Sequence, residues 1–431
     1  MSDGDRVEPP AGDGAEQPRH GGDYAPSVAE RLAFYQRAGG IATPLVTTLF
    51  AFFVGGLVVL ATTHKNPLNT YREIFNGTGL SWFLHVGSYK VGLPFTDSKV
   101  WFPWDTHARA AENLQFMLVV WLVPLILTGL AVAFAFRCGL FNIGGQGQYL
   151  AGAFVAVWVG TSFTGMAGAP HALLAIVAAA IAGAVLAGIA GLLKATVGAH
   201  EVITTIMLNW IVIWSGKYLF GFGGPLQNDD PLRSSLAQSN DVPENAWLKV
   251  FWGDAGFQGL HVGIFLSVAA LVVYWAVLNR TTLGYQVRAV GFNPEAARYG
   301  GISVAKNYFL AMAIAGTFAG LGGAMDVLGW QHKVAVSDIE TSGVGFVGIA
   351  VALLGRNTAV GVGLASLLFA ALLTGTSQRN LDPSVFPPEL ADNLTLMIQG
   401  LVVLFVGADV IVLYLWQVRR SIFGRRKRAP T

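Results

Sequence analysis

The chain has 431 residues, 53% of them hydrophobic and only 12% charged, against roughly 25% charged in an ordinary soluble domain. That balance excludes a soluble globular domain and, over most of the chain, disorder, which needs low hydrophobicity and high charge; the single cysteine, Cys138, excludes a disulfide scaffold. The 53 glycines, near twice the usual ~7%, fit membrane helices whose backbones approach closely.

Residues 1–26 are polar, rich in Gly, Pro and Asp, and read as a disordered tail. They lack the basic start and short apolar run of a signal peptide. Ser27-Val28-Ala29-Glu30 has the pattern of a capping box. Val28, Leu32 and Tyr35 then share one face, which predicts a helix lying on the membrane surface. Residues 1–40 are thus a cytoplasmic tail and interfacial helix.

A crossing takes roughly 20 mainly apolar residues. Clear runs lie at 41–62, 114–136, 172–193, 202–220, 261–278, 305–328, 359–376 and 393–415, with weaker ones at 146–163 and 342–355. The last is short, which predicts a broken, tilted or re-entrant helix. The fold class is therefore an all-α polytopic membrane helical bundle of about ten transmembrane segments, with broken or re-entrant helices. The transmembrane domain spans 41–415, and a basic tail follows at 416–431. Loops 63–113 and 221–260, which contain Trp, Phe and Asp, are predicted to be partly structured caps.

Ten crossings put both termini on one side. That side collects 17 of the 27 Lys and Arg residues and the other collects 10, so the positive-inside rule places both termini in the cytoplasm. The cluster Arg425-Arg426-Lys427-Arg428 suits anionic lipid head groups. No nucleic-acid polymer is expected as a partner of so apolar a chain.

The inside loop 279–304 holds the most informative text. In Asn293-Pro294-Glu295-Ala296-Ala297, Asn293 is a good N-cap, Pro294 a good first helical residue, and Glu295 complements the helix dipole. Gly300-Gly301 ends the helix. The result is a short, rigid helix with a flat alanine face, either a connector or a docking element.

Here the chain resembles ABC-type importer permeases of the branched-chain amino acid and simple sugar class. Arg288-Ala289-Val290-Gly291-Phe292-Asn293-Pro294-Glu295-Ala296-Ala297-Arg298-Tyr299-Gly300-Gly301-Ile302 follows that family's R-A-x-G-x-N-P-x-A-A-x-x-x-G-I pattern. Gly139 to Gln148 resembles its G-x-x-N-I-G-x-E-G-Q segment, without the glutamate. His200-Glu201-Val202-Ile203-Thr204-Thr205-Ile206-Met207-Leu208-Asn209 resembles N-E-V-I-x-T-I-M-L-N of the nucleoside and simple sugar branch, with His200 in place of Asn. Ala315–Ala324 and Gly345–Gly355 match in order, so the likeness covers about 114–415.

The resemblance implies a translocation subunit without catalytic residues, cofactor or metal, in a prokaryotic plasma (inner) membrane. ATP would be hydrolysed by a separate cytoplasmic ABC ATPase. A second permease subunit, a paralogue, and an extracellular solute-binding lipoprotein would complete the system. The ATPase would be engaged by Arg288, Gly291, Asn293, Pro294, Glu295, Ala296, Ala297, Gly300 and Gly301. The solute implied is a small polar one, a nucleoside first and a ribose-type sugar second. The residues agree: no G-x-x-x-x-G-K-[ST] phosphate loop is present, Gly216-Lys217 being the nearest fragment, and there is no H-E-x-x-H or Cys/His metal spacing.

Residues proposed for the solute path are Asn142, Gln146, Gln148, Asn209 and Asp326. The first three fall in a Gly-rich stretch predicted to be unwound, with 342–355 as its counterpart, and paired broken helices point to transporter sites. These amides either bind solute or serve packing. Asp326, an acid inside a span, either accepts from a sugar hydroxyl or is a paired structural carboxylate. Asp409 is expected to pair with Arg419 or nearby backbone, and Glu201 to cap its helix. A stand-alone secondary transporter or channel, or a membrane scaffold, would share the composition but not the motifs.

Overall fold

The computed structural model describes residues 48–61, 66–84, 90–92, 99–101, 110–163, 165–230, 235–254 and 258–377, with isolated positions at 45, 393, 396–398, 400, 401 and 404. These belong to one compact unit. The expected interfacial helix, Asp409 and the basic tail lie outside the described residues.

The helices in chain order are α1 (Thr48–Ala61), α2 (Pro67–Gly77), α3 (Ala110–Arg137), α4 (Gly145–Ser162), α5 (Gly168–Val197), α6 (Glu201–Phe220), α7 (Gly263–Arg280), α8 (Thr282–Phe292), α9 (Pro294–Tyr299), α10 (Val304–Gln331), α11 (Val336–Thr341), α12 (Val344–Leu354) and α13 (Ala359–Gly375). Strands β1 (Lys90–Gly92) and β2 (Lys99–Trp101) form one antiparallel hairpin, and β3 (Val250–Trp252) and β4 (Leu260–His261) another. Six helices among the described residues are long and apolar enough to cross a bilayer: α3, α5, α6, α7, α10, and α11 with α12.

Helices α3 and α10 form the centre. The most apolar windows of these two are 83% and 61% buried, against 22% for α6. Helix α5 shows why. Its buried face is Ala172, Ala175, Ala179, Gly183, Ala187, Ala190 and Gly191, whereas Leu173, Val177, Ile181, Val185, Ile189 and Leu192 point outward. This is the reverse of a water-soluble helix. In lipid, large residues lose nothing by facing outward, and close packing of small ones drives association. The crossing with α10 depends on it: a methyl group on Gly183 would overlap the Gly316 carbonyl oxygen, and one on Gly316 would overlap that of Gly183.

Both central helices contain a π-turn, Met117–Leu122 in α3 and Val327–Gln331 in α10, and the two turns meet. The first runs up to Pro124, which has no N–H to give to the Val120 carbonyl, so the local i→i−4 ladder is interrupted. The second ends at His332, in the left-handed region at φ 55°.

The predicted weak span 146–163 is a regular helix, α4. Gln146 and Gln148 lie in its first turns, so the unwound stretch stops at Gly144, shorter than the glycine content suggested. The break expected in 342–355 falls at Ser342-Gly343, between α11 and α12. The described residues of the loop between α6 and α7 are structured, in keeping with its aromatic content. Ser239 N–H donates to Val334 O (2.9 Å), Val242 N–H to His332 O (2.7 Å) and Leu248 N–H to Leu328 O (2.8 Å). These bonds seat the loop on the end of α10.

Candidate functional site

The segment α8–α9 is built by its caps. Thr281 Oγ1 accepts from Gly284 N–H at 3.1 Å and starts α8. Asn293 Oδ1 accepts from Glu295 N–H (3.0 Å) and Ala296 N–H (3.1 Å) and starts α9, with Pro294 at the first helical position where no N–H is needed. Gly301, at φ +78°, follows the last turn.

Ala297 alone in α9 is buried, while Ala296 faces out. The outward surface is not the flat alanine face expected. Phe292 and Tyr299, 92% and 94% exposed, dominate it. They flank α9, one just before its N-cap and one at its last residue, so helical periodicity gave no signal for them. Glu295 and Arg298 pair across this surface at 3.4 Å, and Arg288 Nε reaches Gly284 O at 3.3 Å.

The inner side of this segment rests on α3. A methyl on Gly291 would overlap the Arg137 carbonyl oxygen, so backbone meets backbone there. Beside it, Arg137 donates from Nε (2.9 Å) and Nη2 (2.7 Å) to the carbonyl oxygen of Asn357, which also accepts from the Tyr274 hydroxyl at 2.7 Å. Asn357 and Arg356 both have positive φ, 53° and 51°, a conformation that Asn tolerates and that is uncommon for Arg. Helices α3, α7 and the end of α12 thus meet at one carbonyl next to the α8–α9 segment. The motif text gave no hint of this junction.

The amides of the second cluster are all buried. Asn142 and Gln148 exchange two hydrogen bonds of 2.9 Å, and Asn142 Oδ1 also accepts from Gly144 N–H. Asn209, from α6, accepts from Gly147 N–H (2.8 Å) and donates to Ile143 O (3.0 Å). Gln146 donates to Ser342 O and accepts from Gly345 N–H, both at 2.8 Å. These side chains satisfy the orphan backbone groups at the starts of α4 and α12, and Gln146 ties the two irregular segments together.

Gln146 and Asn209 also line a half-open cavity of about 360 Å³, together with Ile206, Trp210, Ile213, Lys217, Ile339, Glu340, Ser342 and Phe346. Its wall is mainly apolar with a few polar groups, the usual make-up of a small-molecule site. Asn142, Gln148 and Asp326 are not part of that wall. Asp326 is buried near the end of α10, where it accepts from the Tyr149 hydroxyl and from Trp330 Nε1 (3.4 Å). Lys217 and Glu340, which no motif flagged, face each other at 2.6 Å. At the other end of α6, Glu201 pairs with Lys194 at 2.9 Å, in the first helical turn where an acid complements the dipole.

Comparison with known proteins gives a family model, "Branched-chain amino acid transport system / permease component", matching residues 114–407. The guanosine ABC transporter permease protein NupP of Bacillus subtilis (strain 168) is 42% identical over 309 residues, 71% of this chain and 82% of the relative. The nucleoside ABC transporter permease protein NupB of Lactococcus lactis subsp. cremoris is 32% identical over 86% of this chain and 92% of its own length. The glucose ABC transporter permease protein TsgB13 of Haloferax volcanii is 35% identical over 84% and 86% respectively. No solved structure matches the chain.

Proposed function

This chain belongs to the branched-chain amino acid transport system permease component family, and on that premise we propose that it is the membrane subunit of an ATP-driven importer of nucleosides. The observation that carries this reading is the segment Thr282–Gly301: two capped helices, exposed aromatic ends, and a glycine seated on the backbone of α3. A cytoplasmic ABC ATPase binds Phe292 and Tyr299 together with the polar surface of α9. Closure of the ATPase pair pushes α8–α9, through Gly291, against the backbone of Arg137, and the motion passes to α3, α7 and the α12–α13 turn. Such a machine needs two global states biased by nucleotide.

The chain crosses the plasma membrane of a prokaryote about ten times, with both termini in the cytoplasm, on the strength of the 17-to-10 bias in Lys and Arg. A second permease subunit and an external solute-binding lipoprotein complete the system. The solute path runs past the α4–α6–α11 cavity, with Gln146 and Asn209 at its polar floor; Asn142, Gln148 and Asp326 hold the surrounding helices in place. Substrate choice follows the nucleoside names of two relatives and the E-V-I-x-T-I-M-L-N text of α6. The glucose permease relative supports a simple sugar as the second reading.

Deleting the gene should abolish uptake of labelled nucleoside. Nucleoside uptake left intact, with uptake of another solute lost, would overturn the substrate. Replacing Glu295 and Ala296 together by Arg and Trp should remove ATPase association and uptake in step; transport left intact would overturn the coupling role.

A further inference from the structure

We propose that Lys217 and Glu340 form an ion-pair latch at the outer mouth of the α4–α6–α11 cavity, and that the short helix α11 is the lid it holds. The inference rests on the importer reading of that cavity. Lys217 lies three residues before the end of α6, next to the loop placed outside, and its ammonium sits 2.6 Å from the Glu340 carboxylate and 4.5 Å from the centre of the Trp214 ring. Both charged side chains line the cavity, and both are partly solvent-exposed.

Helix α11 has the attachments of a lid. It is only six residues long. One end is tied to the outer loop by the Gln238–Ala335 bridge and by Val336 N–H bonding Ala237 O at 2.9 Å. The other end stops at Ser342-Gly343, and a Cβ built on Gly343 would meet no atom within 4 Å. The side-chain face of Gly343 is therefore open, while its carbonyl starts α12 by accepting from Phe346 and Val347 N–H, both at 3.0 Å. On either side of Gly343 the chain is fixed, because Gln146 grips Ser342 O and Gly345 N–H. Between fixed floor and outer loop, α11 is held to α6 by Ile339, which packs on Gly216, and by the ion pair. A partly exposed pair is weak. It breaks without a large barrier, and that suits a contact that must open once per transport cycle.

The test uses the intact transporter complex in inverted-free membrane vesicles with Ser342→Cys as reporter. Cys138 is the one native cysteine and is buried, so a membrane-impermeant maleimide added outside reads position 342. With the pair intact, labelling should be slow. Glu340→Gln, or independently Lys217→Gln, should speed it about fivefold, the population shift a rim pair of this kind supports. The charge swap Lys217→Glu with Glu340→Lys should restore the slow rate, with the melting temperature of each variant unchanged. Equal labelling rates with and without the pair would overturn the latch, as would a folded charge-swap protein that stays fast. Nucleoside uptake by the unmodified complex is measured in parallel; its absence overturns the substrate assignment, whereas unchanged labelling overturns only the latch.

Discussion

Helix α5 and the segment α8–α9 both turn large apolar side chains outward, for opposite reasons. On α5 the stretch from Leu173 to Leu192 contains no charged residue, and the helix is as apolar outside as inside. Its exposed surface matches lipid. On α8–α9 the outward Phe292 and Tyr299 stand among Arg288, Glu295, Arg298 and Lys306. That mixture cannot sit in hydrocarbon, and two isolated aromatics in a charged surface are the composition of a protein interface core with its rim. Exposure of an apolar group therefore identifies a partner only when read with its charged surroundings.

Five variants sharpen the contrast. The largest effect is expected inside α5: Gly183→Leu forces a side chain into the Gly316 backbone and should destabilise the protein by about 3 kcal/mol or more, read as a lowered melting temperature in detergent. Next comes the outer stripe of α5. Ile181, 57% exposed near the helix centre, changed to Arg should hinder membrane insertion by about 2.5–3.5 kcal/mol, measured by an insertion assay. Phe292→Arg, a substitution of the same kind at a more exposed residue, should leave insertion unchanged; equal penalties at the two sites would erase the distinction. Third, Gln146→Leu strips two backbone groups of their partners and should lower stability by about 1–3 kcal/mol, less if the segment rearranges to find others. Smallest in stability is Phe292→Ala with Tyr299→Ala, expected within about 0.5 kcal/mol of the parent, yet co-purification of the ATPase should fall at least tenfold.

Much of the scaffold could be read from residues alone, because a bilayer demands long apolar runs. The spans near 114–136, 202–220 and 261–278 appear as α3, α6 and α7 with ends shifted by a few residues. The capping of α9 by Asn293 was also legible, since cap chemistry is local. Three features were not. The start of α4 looked unwound because glycine is a poor helix signal, but a tertiary bond from Asn209 and a local one from Asn142 support its first turn. The outward display of Phe292 and Tyr299 depends on which side of the α8–α9 segment packs inward, where α8 meets α3 and α9 meets α10, contacts the local text does not encode. The Lys217–Glu340 pair joins residues more than a hundred positions apart, and no periodicity encodes it.

The importer assignment is tested most directly by rebuilding transport from purified parts. The full complex of this subunit with its ATPase and paired permease goes into liposomes, and labelled nucleoside is supplied with the solute-binding protein. Accumulation inside against the gradient, dependent on ATP and abolished when Glu295 and Ala296 are replaced together by Arg and Trp, is the expected result. Nucleoside flux that runs without ATP, or that survives this double replacement undiminished, would contradict it.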